Sequence, residues 1–129
     1  MRKQVLAIAV ALAMTALGGI AVAQTSNDVL GTWEGESKCT IANSPCHDEH
    51  VIYEVSQSPN SAELTITMDK VVNGERGTMG SLPCHLQGNV LSCTYNSSHW
   101  DFTVQGKQMN GTLKLADGRL YRRISAKKQ

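Results

Sequence analysis

Polar and apolar residues alternate along most of this chain. From residue 30 to 41 it reads LGTWEGESKCTI, with Trp33, Gly35, Ser37, Cys39 and Ile41 on one side and Glu34, Glu36, Lys38 and Thr40 on the other. A period of two is that of a strand with one face buried. Further alternating segments cover 49–57, 62–72, 78–87, 89–95, 99–105, 108–115 and 119–125. Between them stand residues that turns prefer: Ser58-Pro59-Asn60, Asn73-Gly74, Gly88-Asn89, Asn96-Ser97-Ser98, Gly106 and Asp117-Gly118. No segment sustains a helical period. The inward positions then include Val51, Tyr53, Val55, Leu64, Ile66, Met68, Leu82, Leu86, Leu91, Tyr95, Trp100, Phe102, Val104, Met109, Leu113, Leu115, Leu120 and Ile124. Eight short strands at such spacing predict an all-β meander, and an open sheet of that size exposes two edges. Closure into an eight-stranded antiparallel up-and-down barrel removes them.

One hairpin can be registered from the sequence. With Gly88-Asn89 as a two-residue turn, Gln87 faces Val90, Leu86 faces Leu91 and Cys84 faces Cys93. The pairs alternate outward from the turn, so Cys84 and Cys93 fall on a non-hydrogen-bonded pair. There the Cα atoms lie about 4.5 Å apart, within disulfide range. The remaining cysteines, Cys39 and Cys46, pair by elimination and tie the end of the first strand to the loop after it.

Gly31-Thr32-Trp33 opens the first strand, and Arg122 lies on the inward side of the last, in LYRRI. This combination resembles the calycin barrels: lipocalins, avidins and fatty-acid-binding proteins. The resemblance implies a barrel whose closed end is sealed by Arg122 covering Trp33, a structural role with a cation–π contact as its physical basis. The first strand then runs toward an open mouth, where the loops at 42–50, 72–77, 96–98 and 116–118 gather. Polar residues of those loops, His47, Asp48, Glu49, His50, Arg76 and His99, are expected to share the rim. Tyr53, Tyr95, Trp100 and Met68 are expected to line the mouth for a small apolar or amphipathic ligand. A barrel of this size is nevertheless expected to be filled by its own side chains, with no roomy cavity.

Residues 1–23 are expected not to belong to this fold. Arg2 and Lys3 precede an apolar run from Val5 to Val22, which ends in Ala21-Val22-Ala23. That is the pattern of a secretory signal peptide cleaved before Gln24. Removing 23 of the 129 residues leaves 106, enough for a single β-barrel domain over 24–129, and takes the net charge from +1 to −1. All four cysteines then lie in the mature part, as two disulfides of a periplasmic or extracellular protein require. No membrane attachment is expected after cleavage, and a monomer is expected. The basic residues Arg119, Arg122, Arg123, Lys127 and Lys128 lack interleaved aromatics and give no nucleic-acid signature.

Cys46-His47-Asp48-Glu49-His50 holds the densest group of polar chemistry. Imidazole and carboxylate suit zinc or copper, with His99 as a further donor. However, His47 and His50 have opposite parity on a strand, and no helix carries the H-x-x-H, so no metal and no cofactor are expected. The other readings of the loop are recognition of a partner, with the Cys39–Cys46 bridge holding it rigid, and an ordinary solvated loop. No nucleophile elbow, zinc-protease helix, phosphate loop or dinucleotide fingerprint is present. The chain therefore reads as a non-enzymatic binding protein for a small ligand. The alternative is a protein partner, in the manner of protease or lysozyme inhibitors, engaged through the mouth loop.

Overall fold

The computed structural model describes residues 26–129. The expected signal peptide and its cleavage before Gln24 lie outside the described residues. One helical turn, α1 (Ser26–Val29), precedes eight strands: β1 (Gly31–Cys39), β2 (Glu49–Gln57), β3 (Leu64–Val72), β4 (Glu75–Gln87), β5 (Val90–Tyr95), β6 (Ser98–Gln105), β7 (Gln108–Lys114) and β8 (Leu120–Lys128). Each strand pairs antiparallel with the next, and β8 returns to β1, so the barrel is closed. Among the described residues no helix is long and apolar enough to cross a membrane.

The strands fall where alternation places them, with two extensions. Asn73 and Gly74 both sit at positive φ, 52° and 79°, as a two-residue type I′ turn requires. The chain therefore re-enters the sheet at Glu75, and the loop expected over 72–77 shrinks to that turn. At the other extreme β8 runs on to Lys128, because Ala126 is buried between Gly35 of β1 and Met109 of β7.

The half of the barrel nearest α1 is a packed core. Trp33, Phe102, Leu64, Ile66, Leu91 and Met109 are fully buried there. The Trp33 indole Nε1 donates to the Val29 carbonyl at 2.9 Å, so α1 caps this end. Two inward glycines are used for close approach. A Cβ on Gly35 would lie 1.9 Å from the Ser125 carbonyl oxygen, and one on Gly111 would lie 2.4 Å from the Phe102 ring. These two glycines thus accommodate a neighbouring backbone and a large ring rather than leaving space.

Both disulfides form as expected, Cys39–Cys46 and Cys84–Cys93. Cys84 and Cys93 are directly opposed, with Cα atoms 4.2 Å apart, and the pairs Leu86–Leu91 and Gln87–Val90 follow. The next pair would be hydrogen-bonded and would join residue 83 to Thr94. Residue 83 is proline, which has no N–H to donate. The β4–β5 ladder ends at the disulfide.

Above this point a β-bulge interrupts β4. Met68 pairs with Gly80 and Asp69 with Thr78, which leaves Met79 as the extra residue.

Candidate functional site

At the end opposite α1 the barrel is not filled. A cavity of about 250 Å³ opens there, reached by β1, β2, β3, β4, β5, β6, β7 and β8 through residues Ser37, Glu49, Tyr53, Met68, Met79–Leu82, Tyr95, Trp100, Leu113 and Arg122. The four residues expected to line the mouth, Tyr53, Tyr95, Trp100 and Met68, all border it. Tyr95 is 57% exposed and forms part of the lip rather than the interior. The volume lies just below the usual range for small-molecule sites, which begins at about 300 Å³.

The inner wall of the cavity has a polar end. Arg122 Nη1 donates to the Ser37 carbonyl at 3.4 Å, the Ser37 hydroxyl at 3.3 Å and the His47 carbonyl at 3.0 Å. Its Nη2 donates to Glu49 Oε1 at 3.4 Å. The Arg122 side chain is only 13% exposed, so these acceptors replace the water it has lost. Tyr53 hydrogen-bonds with Ser37 at the same place. Burial, with the Glu49 charge adding to it, pushes the Tyr53 phenol well above the usual tyrosine range. It stays neutral and keeps its proton. With Arg122 and Glu49 offsetting each other, the site offers donors and acceptors but little net charge.

Arg122 therefore does not cover Trp33. β8 runs antiparallel to β1, and Arg122, near its start, is level with Cys39 at the far end of β1. Trp33 is level with Lys128, whose Nζ lies 5.8 Å from the indole ring centroid and donates to the Asp28 carbonyl at 2.8 Å. The expected cation–π contact exists at the closed end, but a lysine makes it. The aromatic neighbour of Arg122 is Tyr121, 5.6 Å from its guanidinium carbon.

The expected rim residues do not gather into one constellation. Of the six, only Glu49 lines the cavity. Asp48 stabilises the mouth loop, its Oδ1 accepting from the Cys39 amide at 2.8 Å, and His47 contributes its carbonyl to Arg122. His50 is on the outer wall, because β2 has begun at Glu49 and parity turns it outward. Its Nε2 and Nδ1 each lie 2.8 Å from a carboxylate oxygen, of Glu34 and Glu36 respectively. Donating to Glu36 and then to Glu34 raises its pKa above the usual histidine value. Arg76 is drawn onto Asp69, whose carboxyl it holds below its usual range, and His99 Nδ1 contacts the Thr94 hydroxyl at 3.3 Å. Among the described residues no group of three or more His, Cys, Asp or Glu side chains is placed to hold a metal ion.

Two contributors to the cavity were hidden from the alternation. Met79 lines it as the extra residue of the bulge, beside Gly80, which keeps the inward parity of Leu82. Arg122 has the inward parity expected of it, but at the opposite end of the barrel. No family model matches the chain, and no curated protein matches it.

Proposed function

We propose that this chain is a secreted or periplasmic, non-enzymatic binding protein of the calycin-like kind, which holds a small amphipathic molecule in the barrel mouth. The observation that carries the reading is the cavity of about 250 Å³, apolar along Met68, Tyr95 and Trp100 and polar at Ser37, Tyr53, Glu49 and Arg122. Such a division, a mostly apolar concave site with a few placed polar groups, is that of small-molecule sites. The near-neutral polar end favours a hydroxyl, amide or similar uncharged group over a free anion. Two disulfides support an oxidising compartment.

The test is native mass spectrometry of the mature protein purified from an oxidising compartment, beside the denatured sample. A mass excess that disappears on denaturation identifies the occupant. A bare mass moves the weight to the second reading, a protein partner bound through the mouth loop. That reading is supported by the loop itself, clamped by Cys39–Cys46 and by Asp48 on the Cys39 amide, since a loop already ordered loses little entropy on binding.

A further inference from the structure

Among the described residues the wall of the barrel has an open seam between β4 and β5. β4 and β5 pair only where Cys84–Gln87 meets Val90–Cys93. Beyond the disulfide β5 ends at Tyr95, whereas β4 continues to Glu75. Among the described residues no strand therefore pairs with the β5-facing edge of β4 over 75–82. Strand alternation directs the backbone N–H and C=O of Ser81 into the seam. Beyond the bulge, the Val72–Glu75 pair that closes the turn places those of Arg76 and Thr78 there too. No backbone hydrogen bond from elsewhere in the described chain reaches this edge.

An unpaired strand edge is usually blunted by proline, lysine or a cover. Residues 75–82 contain neither proline nor lysine, and Arg76 is drawn onto Asp69. Gly77 and Gly80 have open space beside them. The bulge is the one interruption, and it brings Met79 to the cavity. Successive strand residues point to opposite faces, so a cavity that touches Met79, Gly80, Ser81 and Leu82 in turn reaches β4 through its edge. Among the described residues the exposed large apolar side chains are Val72, Met79 and Tyr95. Met79 and Tyr95 form the two lips of the seam, and Val72 sits at the tip of the β3–β4 hairpin. Glu75 stands beside Arg76 on this edge and Arg76 is paired with Asp69, so the seam presents little net charge.

We propose that this seam receives an extended segment of a partner polypeptide, which adds as a strand along β4 and inserts an apolar side chain between Met79 and Tyr95. Main-chain bonds supply the attraction in this mode, and the pocket for an alternate side chain supplies the selectivity. The inference goes beyond the small-molecule reading, since its occupant is a peptide recognised through its backbone.

The experiment is to pan a displayed library of short unstructured peptides on the mature, oxidised protein, with counter-selection on Ser81→Pro. This substitution removes an N–H that faces the seam and keeps the backbone ladder to β3, at the loss of the hydroxyl contact with Thr67. Selected peptides are expected to alternate and to carry one large apolar residue. Their binding should protect the Ser81 and Thr78 amides from hydrogen exchange, and Ser81→Pro should weaken it about tenfold. The exchange measurement on the unaltered protein holds even if that variant does not fold. The proposal is overturned if no peptide is selected, or if selected peptides leave both amides unprotected. It is equally overturned if these amides are already protected without peptide, whether by the chain itself or by a second copy detected as a dimer in sedimentation.

Discussion

Arg122 reaches across the barrel mouth to Glu49, 3.4 Å away, and joins the last strand to the second while also holding the mouth loop by the His47 carbonyl. Both side chains are largely removed from water. Removing the guanidinium leaves a carboxylate and two carbonyls short of a donor. Arg122→Met is expected to lower stability by about 2 kcal/mol, between the values for exposed and fully buried pairs. Adding Glu49→Gln should restore part of that loss. Urea unfolding of the two single variants and the double variant measures the coupling, and strict additivity would show that the two residues do not act together.

His50 gives the outer wall a pH dependence. Its folded pKa is raised, first by Glu36 and then by Glu34. The stabilisation is therefore fully present below the unfolded histidine value, about 6.5, and is lost as pH rises through the higher folded value. At 40% exposure solvent screens the pairing, and the contribution should stay below about 1 kcal/mol. Unfolding midpoints of the natural protein and His50→Gln should converge as pH rises above neutrality. A difference that grows with pH would contradict the assignment.

The two disulfides should differ in what they contribute. Their loops are of similar length, with sequence separations of 7 and 9, so chain entropy alone predicts roughly 2–3 kcal/mol for each. Cys84–Cys93, however, lies in the core directly below the seam, whereas Cys39–Cys46 clamps a surface loop. The Cys84→Ala/Cys93→Ala variant loses packing as well as the cross-link. It is expected to be the less stable of the two double-alanine variants, as read by denaturant unfolding. Equal losses would show that the packing around Cys84 and Cys93 adds nothing.

The barrel was legible in the sequence because period-two alternation and turn chemistry agree over eight segments. The Gly88-Asn89 hairpin could be carried pair by pair to the Cys84–Cys93 bridge. Arg122 shows where such reading ends. Parity gives its side of the strand, but its height in the barrel depends on how β8 slides against β1, which no local signal records. Lys128, in a tail that looks like a solvated end, turned out to be level with Trp33. His50 was counted with the mouth loop although the alternation already begins the strand at Glu49. Met79 could not be placed, because a bulge is visible only in the pairing of two strands. Pro83 is the exception: its missing N–H could have been set against Thr94 once the hairpin register was written.

Gly80 offers the cleanest separation between the cavity and the fold. It lines the cavity, has an ordinary strand partner in Met68, and a Cβ built on it meets nothing within 4 Å. Gly80→Val therefore adds a side chain without overpacking and replaces a residue that weakens strands. Gly35→Ala, by contrast, drives a methyl group into the backbone of β8 and is expected to cost about 3 kcal/mol or more. In Gly80→Val the unfolding midpoint should hold or rise while any ligand-dependent mass excess in the native spectrum falls. An undiminished excess would place the ligand elsewhere on the molecule. A loss of stability would show that the space beside Gly80 is occupied by the protein itself.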